Sequence, residues 1–109
     1  DLNFLQIVDK LKYKMEVIKN KVVLYDDETL KTYAYVNISS YRVKTVKALK
    51  DDVKMPTQIA KDAGIRPNHI SKVLRELKDA NVAECLDESV RKGRLYRLTA
   101  LGDEIAKEL

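Results

Sequence analysis

From Met55 to Leu77 the apolar positions keep a helical period that is interrupted once. Ile59, Ala60 and Ala63 share one side of a short segment, and Ile70, Val73, Leu74 and Leu77 share one side of a longer one. Between them stand Gly64 and Pro67. Glycine ends a helix at positive φ without a Cβ penalty, and proline suits the first turn of the next helix, where its missing N–H would be unsatisfied anyway. The pattern predicts two helices joined by a tight turn, with small Ala60 at their closest crossing and Ile65 plugging the core between them. A small residue, a glycine four later and an apolar residue six after that is the spacing of a helix-turn-helix. An ordinary helical hairpin meets that spacing by chance, so the flanking segments decide between the two.

Downstream, the second of these helices runs to about Asn81, a tolerated left-handed terminator. Residues 82–86 read as a short strand, 87–93 as a basic, glycine-containing loop, and 94–98 as a strand of alternating character. Cys85 reads as a small buried hydrophobe there, and Tyr96 packs under the ribbon. Thr99 caps a final helix over 100–109 with Leu101, Ile105 and Leu109 on its apolar face. Upstream, Ser39 and Ser40 cap a helix over 41–49, with Tyr41 or Arg42, Val46 and Leu49 inward. Residues 51–54 form a turn, and Thr57 helps to cap the helix after Pro56. A β-hairpin directly behind a recognition-type helix is a wing. The predicted fold is α+β, mainly α: a winged helix-turn-helix with a three-helix core, a β-hairpin wing and an N-terminal helix and hairpin extension.

That extension is residues 1–39, ahead of a DNA-binding unit over 40–109. Phe4, Val8, Leu11, Met15 and Ile18 fall on one face of an amphipathic helix through the first nineteen or so residues. The β-prone runs 21–25 and 30–36 flank Asp26-Asp27-Glu28-Thr29 and predict a hairpin. A second short helix capped by Asp26 or Asp27 is the alternative. The extension is either additional core or a dimerisation or sensing surface.

Composition narrows the class. A chain of 109 residues, 45% hydrophobic and 35% charged with three Gly and two Pro, is globular and helix-rich. It can bury one modest core. No apolar run reaches bilayer length, and the charged N-terminus does not resemble a signal peptide. Cys85 is the sole cysteine, which excludes an internal disulfide and suits a reducing cytoplasm. The net charge is +4. Over 1–39 six lysines balance six acids, so the whole excess lies from Ser40 onward, with Arg91, Lys92, Arg94 and Arg97 crowded together. A chain basic in one segment and neutral elsewhere fits a polyanion facing one surface.

The segments Ser40-Tyr41-Arg42, Thr57-Gln58-Ile59-Ala60, residues 69–77 and residues 92–99 resemble the winged helix-turn-helix regulators of archaea and bacteria, in the broad MarR/ArsR-like group, and are most similar to the archaeal versions. The resemblance covers 40–109 and does not extend to the first 39 residues. It implies a sequence-specific double-stranded DNA-binding transcription regulator, a homodimer on a near-palindromic operator. Its recognition helix would present Arg66, Asn68, His69, Ser71, Lys72 and Arg75 to the major groove. Asn pairs bidentately with adenine and Arg with guanine, each discriminating by about 1–3 kcal/mol. Lys72 and Arg75 serve alternatively as phosphate contacts. Arg91, Lys92 and Arg94 on the wing would reach the minor groove or its flanking backbone, and Ser40, Tyr41, Arg42 and Thr57 complete the expected DNA-binding set.

Catalysis is not expected. The chain lacks a Ser/His/acid frame, a glycine-rich phosphate loop and a metal cluster, since His69 has only Cys85 for company. No cofactor is expected, and no small-molecule effector is indicated. The other reading is a winged-helix module that binds protein or RNA in a larger assembly, because this scaffold serves both roles. The polar, basic outer positions Asn68, His69, Lys72 and Arg75 favour nucleic acid, since a protein-binding helix would expose apolar residues.

Overall fold

The computed structural model describes residues 13–18 and 21–109, with side chains from Asp26 onward. The elements are β1 (Tyr13–Ile18), β2 (Lys21–Asp26), α1 (Asp27–Asn37), α2 (Ser40–Leu49), α3 (Pro56–Ala63), α4 (Pro67–Asp79), β3 (Ala83–Cys85), β4 (Tyr96–Leu98) and α5 (Ala100–Lys107). Helices α2, α3 and α4 pack on one another, and α1, α5 and the β3–β4 ribbon close around them. The fold is a winged helix. No helix among the described residues is long and apolar enough to cross a membrane.

The core forms where the helical period requires it. Val46 and Leu49 of α2, Ile59 and Ala60 of α3, and Ile70, Val73, Leu74 and Leu77 of α4 are buried together with Ile65. Gly64 ends α3 in the left-handed region at φ 69°, and its N–H donates to the carbonyls of Ala60 and Lys61. Arg66 is then extended and Pro67 opens α4, so the turn contains both expected breakers. Helix α4 stops at Asp79, and Asn81 follows at φ 62°.

The N-terminal expectation needs correction. Residues 13–18, placed in a helix, form strand β1, and residues 1–12 of that helix lie outside the described residues. Tyr13, Met15 and Val17 alternate with Lys14 and Glu16, a period of two that competes with the helical placement of Met15 and Ile18. A hairpin does exist but sits one segment upstream: β1 pairs antiparallel with β2, from Tyr13 opposite Asp26 to Ile18 opposite Lys21. The run 30–36, expected as its second strand, is helical. Asp26 decides this, because its carboxylate accepts from the Thr29 N–H at 2.8 Å, and hydrogen bonding from the Thr29 side chain and backbone holds its pKa below the usual carboxylate range. Asp27 and Glu28 occupy the first turn, where negative charge suits the positive end of the helix. Burial then outweighs the β propensity of the run: Val36 is fully buried, and the Tyr33 hydroxyl donates to the Glu108 carbonyl at 3.3 Å.

The wing root is clamped tightly. Thr99 caps α5 by accepting from the Gly102 N–H at 3.0 Å, while its own hydroxyl donates to the carbonyls of Asn81 at 2.6 Å and Val82 at 3.2 Å. β4 pairs with β3 on one side, Ala83 to Leu98, and bridges Lys54 on the other. The segment expected as a plain turn over 51–54 therefore contributes one residue to the sheet. Residues 82–86 and 94–98 are strand over only three residues each, and Cys85 is partly rather than fully buried. On α5 the buried residues are Gly102, Ile105 and Ala106, whereas Leu101 and Leu109 lie at the core's margin. Gly102 is required because a Cβ there would overlap the Val82 carbonyl oxygen and approach Leu98 Cβ at 3.1 Å.

Gly102→Ala should therefore destabilise the protein by about 3 kcal/mol, since the obstacle is backbone that cannot swing aside. Gly64→Val should cost about 2 kcal/mol, with open space around the new side chain but strain at positive φ. Urea unfolding of both variants checks the order. Equal, small losses would contradict the close approach of α5 to the wing root.

Candidate nucleic-acid interface

Burial of one side of α4 determines what its other side presents. With Ile70, Val73, Leu74 and Leu77 at 0–3% exposure, Asn68, His69, Ser71, Lys72 and Arg75 are all exposed, as is Arg66 immediately before the helix. A 13-residue helix with one apolar stripe has this division as its only low-energy orientation on a core.

The wing loop stands beside that outer face. Together with the start of α3 they enclose an open groove of about 520 Å³. Thr57, Ser71, Arg75, Lys78, Arg91, Lys92 and Arg94 supply its polar lining, and Met55, Pro56, Leu74, Gly93 and Tyr96 the remainder. Ser71, Arg75 and Lys78 enter it as one helical row, at i, i+4 and i+7. Lys78 is the residue that the sequence analysis missed, although this row would have found it.

Charge pairing separates two classes of cation. Arg42 pairs with Glu76 at 3.1 Å, Lys54 with Asp62 at 2.8 Å, Arg97 with Glu84 at 2.6 Å, and Lys78 with Glu88. Among the described residues Arg66, Lys72, Arg75, Arg91 and Lys92 form no ion pair. The neighbouring acids are thus already committed, and the groove side keeps its positive charge. The Lys78–Glu88 hydrogen bond raises the lysine pKa and lowers that of the glutamate. Neither α3 nor α4 has a side-chain cap or an acid in its first turn, whereas α1, α2 and α5 are capped by Asp26, Ser39 and Thr99. Thr57, expected to help cap α3, makes no such bond and is exposed.

Two of the expected contact residues are engaged within the fold. Arg42, which the helical period allowed on the inner side of its helix and the resemblance placed on the DNA backbone, points inward. Its guanidinium lies over the Tyr35 ring at 3.7 Å, donates to the Tyr35 carbonyl at 2.9 Å and pairs with Glu76, so it joins α1, α2 and α4. At that depth a long cation is held by partners within the fold, which is why it is unavailable to an outside polyanion. Arg94 lines the groove and at the same time braces the wing, donating to the carbonyls of Val90 and Glu88. Ser40 and Tyr41 are exposed at the start of α2, and the Tyr41 ring meets the His69 ring with centroids 5.7 Å apart.

No protein-family model matches the chain, and no curated protein sequence matches it. Among solved structures the fold is similar to that of NadR in complex with 4-hydroxyphenylacetate, with a TM-score of 0.58 and 20% sequence identity. The similarity covers 74% of this chain but 59% of the NadR chain, so this chain spans little more than half of that protein. At this identity the likeness is one of fold.

The inward role of Arg42 has a direct consequence. Arg42→Ala should lower stability by about 2 kcal/mol, because it leaves Glu76 without its cation and Tyr35 without its stacking partner. Lys72→Ala, on the exposed side of α4, should stay within about 0.5 kcal/mol of the parent. Thermal melts of the two variants test the assignment, and similar melting points would return Arg42 to the surface.

Proposed function

We propose that this protein is a double-stranded DNA-binding transcription regulator, with α4 in the major groove and the wing on the adjacent minor groove or backbone. The observation that supports this reading best is that Arg66, Asn68, His69, Lys72 and Arg75 are exposed on and just before α4, with Arg75 sharing a groove with Arg91 and Lys92, and that these five lysines and arginines form no ion pair among the described residues. Unpaired cations along a helix face are the electrostatic footprint of a phosphate backbone.

The amide ends of α3 and α4 support the same reading. A helix N-terminus without cap or acid leaves its donors and its partial positive charge for an anion outside the chain. Asn68 and His69, at the start of α4, are placed for base edges, while Lys72, Arg75, Arg91 and Lys92 are suited to phosphates. Arg42 takes no part in this contact set and holds its scaffold, while Arg94 braces the wing loop at the groove. We further propose a cytoplasmic homodimer whose two-fold symmetry spaces half-sites about 34 Å apart, or at multiples of that distance. The unit over 40–109 supplies the DNA contacts in this reading, and 1–39 supplies pairing or sensing.

Binding to duplex DNA across a salt series is the first test. Affinity should fall linearly on a log–log plot, with a slope of about −0.9 for each phosphate contacted. Lys72→Ala and Arg75→Ala should each weaken binding, reduce that slope by about one contact, and leave the melting point in place. A flat salt response of the parent protein would favour a protein-binding module. Selection of bound sequences from random duplexes then tests specificity and half-site spacing together.

A further inference from the structure

The groove contains a cation that is already neutralised. Lys78 lines it in the same helical row as Ser71 and Arg75, yet its ammonium is bound by the Glu88 carboxylate from the wing loop. Both partners are reachable from solvent, at 43% and 57% side-chain exposure, with Lys78 on the groove wall. An ion pair this open contributes little to stability, which leaves its place in the groove as its distinguishing property.

We infer that Glu88 is an electrostatic damper of the DNA-binding groove: it occupies Lys78, withholds that cation from phosphates, and so limits sequence-independent binding. The inference rests on the nucleic-acid reading above and deepens it. Non-specific affinity is set by how many phosphates the protein neutralises, while base recognition lies in separate contacts at the start of α4. Removing one cation from the count therefore lowers the non-specific background without touching the residues that read sequence. This is discrimination by a built-in unfavourable element.

The local geometry makes Glu88 separable from the wing's architecture. The Glu88 backbone carbonyl accepts from Arg94 Nη2 at 3.1 Å, and Arg94 Nε donates to the Val90 carbonyl. Asp87 Oδ1 accepts from the Ser89 N–H at 3.1 Å and from its hydroxyl at 2.6 Å. These bonds fold the loop through main-chain atoms and a neighbouring residue, and all of them survive a change of the Glu88 side chain. Among the described residues the carboxylate's one ion pair is with Lys78, and Arg94 adds only a smaller Coulombic attraction. Its lowered pKa and the raised pKa of Lys78 agree with a pair that is fully charged at neutral pH.

The test is a set of salt series on non-specific duplex DNA with four full-length proteins: parent, Glu88→Gln, Lys78→Met, and the double variant. Glu88→Gln should bind more tightly and steepen the log–log slope by about 0.9, which is roughly a 3.5-fold larger loss of affinity between 50 and 200 mM salt. Lys78→Met alone leaves the Glu88 carboxylate unpaired and should bind no more tightly than the parent, and the double variant should return to the parent slope. Melting points should stay together throughout. A Glu88→Gln slope equal to or shallower than the parent's overturns the damper. So does a double variant whose slope is shallower than the parent's, which would show that Lys78 already contacts phosphate. A parent protein with no salt-dependent binding would instead overturn the nucleic-acid reading itself, and the damper with it.

Discussion

The structure depends on the burial of one stripe of α4, formed by Ile70, Val73, Leu74 and Leu77, against the small surface offered by Ala60 and its neighbours. Removing that apolar area from water orients the helix, because no other rotation hides the stripe. The polar side that α4 exposes follows from it. Once the inner side is committed, the positions between its apolar residues have nowhere to point but outward. Gly64 makes the arrangement possible by turning the chain sharply enough for α3 and α4 to cross.

Two clamps then convert a correctly oriented helix into a site. At the wing root, Thr99 binds the carbonyls of Asn81 and Val82, and Gly102 allows α5 to pass against the Val82 carbonyl. The wing is thereby held beside the helix that precedes it instead of swinging free. On the opposite side, Arg42 joins α1, α2 and α4 through Tyr35 and Glu76. The two clamps use different physics. The first is close backbone approach with hydrogen bonds to main-chain carbonyls; the second is a partly buried charge whose partners surround it.

Charge follows the same division of labour. Cations that hold the fold are paired, as in Arg42–Glu76 and Lys54–Asp62, whereas those on the groove side mostly are not. Lys78 is the exception, a groove cation bound by a wing glutamate. The net charge of +4 is too small to convey this, since a sum cannot distinguish a neutralised cation from a free one.

What the sequence by itself determined was every feature carried by local periodicity and backbone preference. These are the helices over the core, the Gly64 turn, the left-handed Asn81, the Thr99 cap and the existence of the ribbon. The outer positions of α4 belong to the same class, because amphipathicity within one helix is a local property. Tertiary structure decided the rest. The run 30–36 has β-prone residues, but docking of Val36 and Tyr33 on the core, with the Asp26 cap, makes it a helix. The helical period allowed Arg42 an inward position without naming its partners, and Arg94 reads as a surface cation in a string of letters; only three-dimensional proximity gives them Glu76, Tyr35 and the wing carbonyls. The need for glycine at 102 has the same origin: it is imposed by the Val82 carbonyl, twenty residues away, and no window of neighbouring positions contains that contact.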